Sequence, residues 1–275
     1  MKKHLYDSIA SRWLNKTTSV FVLSDPHFGD LEAYRYRHLI KIPDKKDYFN
    51  TFKDGDVFET YETHISKLVK KADEEFIKKI NSVCGKDATL VILGDIGDIE
   101  CVKKLKAGYK VLLLGNHDKG ASNYKKEYWF TMNDGSPLHF EDKNTEKRVI
   151  SGDLNIVNIK TSNNGLFDEV YEGPLMINDR VILSHEPIDV PEYMFNIHGH
   201  THGLPHKYDG RHLNMCAEAI DYKPVNMLKL MQDGILKNTK SIHTITVADA
   251  TKRKQKRNLK NIDKMLEEIK KWSMH

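Results

Sequence analysis

Five places in this sequence put Asp, Asn or His straight after a short apolar run. Val20-Phe21-Val22-Leu23 leads into Ser24-Asp25-Pro26-His27, and Leu90-Val91-Ile92-Leu93 into Gly94-Asp95. Val111-Leu112-Leu113-Leu114 leads into Gly115-Asn116-His117-Asp118, Val181-Ile182-Leu183 into Ser184-His185, and Met194-Phe195-Asn196-Ile197 into His198-Gly199-His200-Thr201-His202. Any one of these polar residues reads as a turn or strand-end cap. Taken together, Asp25, His27, Asp95, Asn116, His185, His200 and His202 are four imidazoles, two carboxylates and an amide oxygen. That nitrogen-and-oxygen donor set suits manganese, iron, zinc, cobalt or nickel. Seven donors are too many for one four-coordinate ion and fit two ions that share a carboxylate. A metal pair makes a hydroxide available near neutral pH and clamps phosphoryl oxygens, which is what hydrolysis of an anionic phosphoester needs.

For these residues to meet, the apolar runs must be neighbouring strands with their carboxyl ends on one crevice. The runs are rich in Val, Ile and Leu without alternation, as in central strands covered on both faces. Between the first two runs, Ile65, Leu68, Val69, Ala72, Phe76 and Ile80 recur at spacings of three and four, which predicts a helix. Strands alternating with helices give an α/β or α+β layered fold. Asn178-Asp179 between Leu175-Met176-Ile177 and Val181-Ile182-Leu183 predicts a hairpin, so part of the sheet system is antiparallel. Residues 32–61 and 121–147 are polar, lack a sustained period and read as insertions bordering the site. Leu259, Ile262, Met265, Leu266, Ile269 and Trp272 form one apolar stripe of a terminal helix in 251–275.

The spacings resemble those of the calcineurin-like metallophosphoesterase superfamily, in particular its small bacterial and phage-type members. Five of its blocks occur in order: Asp25-Pro26-His27, Gly94-Asp95-Ile96-Gly97-Asp98, Gly115-Asn116-His117-Asp118, Ser184-His185 and Gly199-His200-Thr201-His202. They cover roughly residues 19–202. The stretch from Asn214 to Glu218 and Tyr222-Lys223-Pro224-Val225 look like that branch's last strand and tail. The resemblance implies a four-layer α/β/β/α sandwich and a catalytic domain over 1–250, ahead of the basic helix read in 251–275. It implies a first metal on Asp25, His27 and His202, a second on Asn116, His185 and His200, and Asp95 bridging, with manganese the foremost cofactor. It also implies that His117 faces the scissile phosphate rather than a metal, oriented by Asp98. A neighbouring carboxylate favours the imidazolium, which can protonate a leaving group. The expected activity is hydrolysis of a small phosphomonoester or phosphodiester by metal-bound hydroxide. The serine/threonine phosphatase branch carries Arg where this chain has Ile99 and Leu114, which argues against protein phosphatase activity.

Other features leave alternatives open. Arg35 and Arg37, beside Tyr34 and Tyr36, either grip a substrate phosphate or form a solvated loop face. His198 precedes the last block and faces the opposite way by strand alternation, so it reads as a packed histidine. His139, His206 and His212 read as surface or loop residues. The net charge of +4 is concentrated at the end: residues 251–275 hold nine Lys and Arg against three Asp and Glu, leaving −2 for the preceding 250. The body is therefore no basic nucleic-acid platform. The run Lys252-Arg253-Lys254-Gln255-Lys256-Arg257 either tracks a nucleic-acid backbone, making the protein a nuclease or end-processing enzyme, or is a helix's solvated side. A catalytically silent metal scaffold is the remaining alternative. Cys84, Cys101 and Cys216 are odd in number and lack CxxC spacing, as expected of reduced thiols in a cytoplasmic protein. No apolar run approaches the roughly 20 residues that would span a bilayer. With 39% hydrophobic residues in 275, one domain with insertions is readily stabilised.

Overall fold

The apolar runs are strands, and their alternate residues serve two cores. The computed structural model describes residues 9–14, 19–51, 60–118, 124–125, 128–132, 137–138, 156–161, 165–178, 180–203 and 210–239. Strands β1 (Val20–Leu23), β2 (Thr89–Ile92) and β3 (Tyr109–Leu113) lie side by side and parallel. Glu169–Tyr171, numbered β7, extends this sheet in parallel beyond β3, and Val225–Asn226, numbered β12, closes its other edge antiparallel to β1. A second sheet has β11 (His212–Asn214), β10 (Phe195–His198), β9 (Val181–Leu183) and β8 (Leu175–Met176) in that spatial order. Its first three strands are parallel, while β8 and β9 form the expected antiparallel hairpin. Asn178 shapes that turn: its Oδ1 accepts from the Arg180 and Val181 N–H groups at 2.8 and 2.9 Å.

Because side chains alternate across a strand, Leu23, Leu90, Ile92 and Leu112 face one way. They meet Phe76, Ile77 and Ile80 of helix α4 (Tyr61–Val83) and Cys101 and Val102 of the short helix α5 (Ile99–Lys103). The intervening Val20, Val22, Val91, Leu93, Val111 and Leu113 face the second sheet and pack on Val181, Leu183, Phe195 and Ile197. The order of layers is thus helix, sheet, sheet, and the fold is α/β. The outer face of the second sheet carries Asn196, His198 and Asn214, all buried. His198 is packed there, its ring 6.3 Å from that of His212. His212, expected on the surface, is instead half-buried on β11, since strand position rather than residue type sets its exposure.

Helix α4 follows the predicted period, with Thr60 accepting from the Thr63 N–H as its N-cap. The first insertion is more regular than its composition suggests. It holds α2 (Leu31–Tyr36) and α3 (Lys45–Phe49), which follow α1 (Ile9–Leu14) in the chain. Each is nucleated by an Asp cap, Asp30 and Asp44 respectively. The second insertion contributes β4 (Tyr128–Met132) and β5 (Pro137–Leu138), which join β6 (Ile156–Thr161) in a separate antiparallel sheet. The predicted helix in 251–275, like His139 and His206, lies outside the described residues. No described helix is long and apolar enough to cross a membrane.

Candidate metal centre

The carboxyl ends of β1, β2, β3, β9 and β10 open onto one crevice, and the loops there have unusual backbone geometry. Asp25, His27, Asp95, His200 and His202 all have positive φ, between 47° and 66°. Non-glycine residues seldom adopt this left-handed conformation, although Asp, Asn and His tolerate it best. Each such residue costs on the order of 1–3 kcal/mol, and clusters of them mark sites where strain serves a function. The tight turns need glycine where loops cross. At Gly199 a Cβ would run into Ser24 Oγ and Asp25 Oδ2, so only a bare Cα lets the two ligand loops touch.

The seven predicted donors converge in two groups. Asp25 Oδ1 lies 3.9 Å from His27 Nε2 and 3.8 Å from His202 Nε2. Two donors roughly 2.0–2.2 Å from one transition-metal ion are at most about 4.4 Å apart, so these separations fit a shared ion. Asp25 Oδ1 and His27 Nε2 are moreover buried polar atoms without a hydrogen-bond partner. Native interiors rarely leave such atoms unsatisfied, and a cation between them is the natural remedy. In the second group, His185 Nε2 is 2.8 Å from Asn116 Oδ1, and His200 Nδ1 is 3.2 Å from both. Asp95 Oδ2 stands between the groups, 3.6 Å from His27 Nε2 and 3.4 Å from His185 Nε2. The clusters Asp25–His27–His202 and Asp25–Asp95–His185 each bring their donor atoms close enough to hold a metal ion.

Outer partners aim the ligands. His185 Nδ1 faces the Leu93 carbonyl oxygen at 2.7 Å, which makes that nitrogen the N–H donor and leaves Nε2 for the centre. His202 Nδ1 is 3.0 Å from Glu218 Oε1, with the same consequence. Asp25 Oδ2 accepts from the His200 N–H at 2.8 Å and from Cys216 Sγ at 3.2 Å, which turns Oδ1 inward. Burial, then the neighbouring Asp25 carboxylate, pushes the Cys216 thiol up, so it remains a neutral donor. Burial, reinforced by Arg37, lowers His27 and favours the neutral, ligating imidazole. His202 is raised by its hydrogen bond with Glu218. Burial alone would raise Glu218, but the hydrogen bond with His202 and the charge of Arg37 outweigh it and hold the carboxyl low.

His117 is exposed at the mouth of the centre, its ring 5.6 Å from and edge-on to that of His27. Its backbone N–H donates to Asp95 Oδ1 at 2.9 Å. Asp98 does not orient it by hydrogen bonding: among the described residues no such bond joins the two. Asp98 Oδ1 accepts from the Glu100 N–H and caps α5, because it stands one residue before a helix start. A cleft of about 540 Å³ is lined by Gly29, two residues beyond His27, by Asp98, three beyond Asp95, and by Ile65 and Val69 of α4. Lys45 and Lys70 also line it.

Four supporting residues had no assigned role, or a different one, in the sequence. Asp118 is buried and accepts from the Asp95, Ile96 and Gly115 N–H groups at 2.7, 2.9 and 2.8 Å, stapling the second loop to the third. Its place after Gly115-Asn116-His117 was the available signal. Asp73 on α4 accepts from the Gly29 N–H at 2.9 Å and from the Tyr34 hydroxyl. Glu218 carried no signal. Arg37 does not lie on a solvated face: its side chain is 1% exposed and pairs with Glu218. Arg35 is the solvated one, at 66% exposure and 3.9 Å from Glu32.

No known protein-family model matches this chain, and a search of curated proteins finds no match. Among solved structures, a protein of unknown function from Aquifex aeolicus aligns with 18% identity and a TM-score of 0.43. The alignment covers 78% of this chain and 98% of that one.

Proposed function

We propose that this protein is a dinuclear metallophosphoesterase that hydrolyses a small phosphomonoester or phosphodiester. The reading includes the four-layer α/β/β/α sandwich of the calcineurin-like superfamily, with a helical layer over the second sheet. The observation that carries it is the position of Asp95 Oδ2 between two donor groups, within 3.6 Å of one imidazole and 3.4 Å of another. A single-ion site has no use for a carboxylate shared in this way. Asp25, His27 and His202 would hold one divalent transition-metal ion and Asn116, His185 and His200 the other. Such a pair, manganese foremost and iron, zinc, nickel or cobalt by the same donor chemistry, would supply Lewis acidity toward phosphoryl oxygens and an activated water.

The chain's own residues do the rest. His117, exposed at the mouth, gives a proton to the departing alkoxide, whose basicity otherwise makes it a poor leaving group. Its backbone bond to Asp95 fixes where that imidazole stands relative to the shared carboxylate. The cleft beside Gly29 and Asp98 receives the organic part of the substrate, its volume being that of a small-molecule site. The exposed imidazole also argues against a silent scaffold, which needs no acid there.

The test is hydrolysis of p-nitrophenyl phosphate and bis(p-nitrophenyl) phosphate by chelator-treated protein with Mn, Ni, Zn or Mg restored separately. Turnover that disappears with the chelator and returns with a transition metal is expected, with Mg weaker because the donors are nitrogen-rich. At most one Mn bound per chain at saturation would overturn the dinuclear reading. Strong, salt-sensitive cleavage of DNA or RNA alone would select the nuclease reading instead.

A further inference from the structure

We infer that Arg37, on the turn that ends α2, is a positioning residue for the first of the two metal positions and not for the second. Its guanidinium reaches every part of that position from below. Nη2 donates to the Asp25 carbonyl oxygen at 2.7 Å and Nη1 to the Pro26 carbonyl oxygen at 3.2 Å. One rigid fork therefore grips the loop that carries both Asp25 and His27 at successive carbonyls. The same Nη2 lies 3.3 Å from Glu218 Oε2, while Glu218 Oε1 is 3.0 Å from His202 Nδ1. Arg37 Nη2 is also 3.2 Å from that Nδ1, but both are donors there, so Arg37 acts on His202 through Glu218. Asp25, His27 and His202, the three ligands of the first position, thus depend on one buried cation. Among the described residues, no hydrogen bond or ion pair of Asn116, His185 or His200 involves it.

The geometry gives this grip a purpose. Asp25 and His27 hold left-handed backbone at φ 54° and 47°, a conformation that persists only when surroundings over-determine it. Charge-assisted bonds to the two carbonyls supply that constraint. Glu218 fixes which His202 nitrogen carries the proton, and Arg37 keeps Glu218 compensated in a site where its side chain is only 15% exposed. The first insertion is accordingly a clamp on the centre as well as a wall beside it.

This inference rests on the two-ion reading, and one experiment separates their failures. Mn binding to the full, chelator-treated chain is measured by calorimetry, with electron paramagnetic resonance of the Mn-loaded protein. Two ions with a spin-coupled signal are expected for wild type; their absence would defeat the two-ion reading itself. In Arg37→Met one position should weaken about 10–100-fold, the usual loss when an outer partner of a metal ligand is removed. The other position should keep its affinity, so that one equivalent of Mn gives an uncoupled, mononuclear signal. Glu218→Gln keeps an acceptor for His202 but loses the charge that faces Arg37, and should weaken the same position less. Arg37→Lys keeps the charge without the fork and should fall between. If Arg37→Met does not fold, the Lys and Gln variants decide the matter. Affinities unchanged at both positions, or reduced equally at both, would overturn the role of Arg37 while leaving the two-ion reading intact.

Discussion

Replacing His117 by Asn tests the proposed division of labour within a few ångströms, because His117 and Asn116 are neighbours to which the proposal gives different tasks. Asn116 Oδ1 is within 2.8 Å of His185 Nε2, among the donors, whereas the His117 ring stands at the exposed mouth. His117→Asn should leave Mn content and stability nearly unchanged while catalysis falls about 10²–10⁴-fold, as for a lost general acid. The loss should shrink for p-nitrophenyl esters, whose leaving group needs little protonation. Metal analysis and rates on an alkyl and an aryl ester give the answer. A variant that loses its metals would show that His117 is a ligand. At this scale the sequence was informative about which side chains converge and silent about what supports them. Asp25, Asp95 and His200 could be singled out because each follows an apolar run. The supporting roles of Glu218 and Arg37 could not, because these residues lie 16 and 165 positions from His202 along the chain and meet it only through the way the loops stack. Nor could the left-handed backbone of five ligands be read from residue type alone.

Among elements, α4 is tied to the centre by a buried carboxylate. Asp73 accepts from the Gly29 N–H two residues beyond His27, and from the Tyr34 hydroxyl of α2. Burial raises its carboxyl above the ordinary value of 3.8, although both hydrogen bonds and Lys104 oppose that rise. A group whose pKa is higher folded than unfolded stabilises the fold fully below the unfolded value, and that contribution is lost as pH climbs through the folded one. Asp73→Asn keeps an oxygen that can accept both bonds and removes the titration. The variant should therefore gain stability relative to wild type as pH rises from about 3.8 toward neutral. Urea denaturation of both proteins at a series of pH values measures this difference, and a gap that stays constant or closes would contradict it. The predicted helical period located α4 because its apolar stripe runs from Ile65 to Ile80, roughly four turns. Helices α2 and α3 escaped because five or six residues cannot show a period, and their Asp caps resemble ordinary loop residues. Strand β7 escaped for a similar reason: Glu169-Val170-Tyr171 is short and polar, and its place in the sheet comes from pairing with β3.

On the scale of the molecule, the centre ties together the two sheets. Asp25, His27, Asp95 and Asn116 follow strands of the first sheet, and His185, His200 and His202 follow strands of the second. An ion held by donors from both sheets is bound by the folded chain and hardly at all by the unfolded one, where Asp25 and His200 are 175 residues apart. Binding to the native state alone adds RT ln(1 + [L]/Kd), about 2.7 kcal/mol at a hundredfold excess over Kd for each independent site. The positive-φ loops add a reason for a large effect, since they hold orphaned Asp25 Oδ1 and His27 Nε2 without compensation until a cation sits between them. Chelator-treated protein should therefore unfold at a lower urea concentration than Mn-loaded protein, and the midpoint should rise with Mn concentration. The slope of the transition should stay the same, because the surface exposed on unfolding does not change. Asp95→Ala removes the donor between the two groups and should take away most of the Mn-dependent shift. Asp98→Ala, which lies outside both groups, should keep the whole of it. A midpoint indifferent to Mn in wild type would mean that the converging donors hold no ion, and the phosphoesterase reading would fall with it.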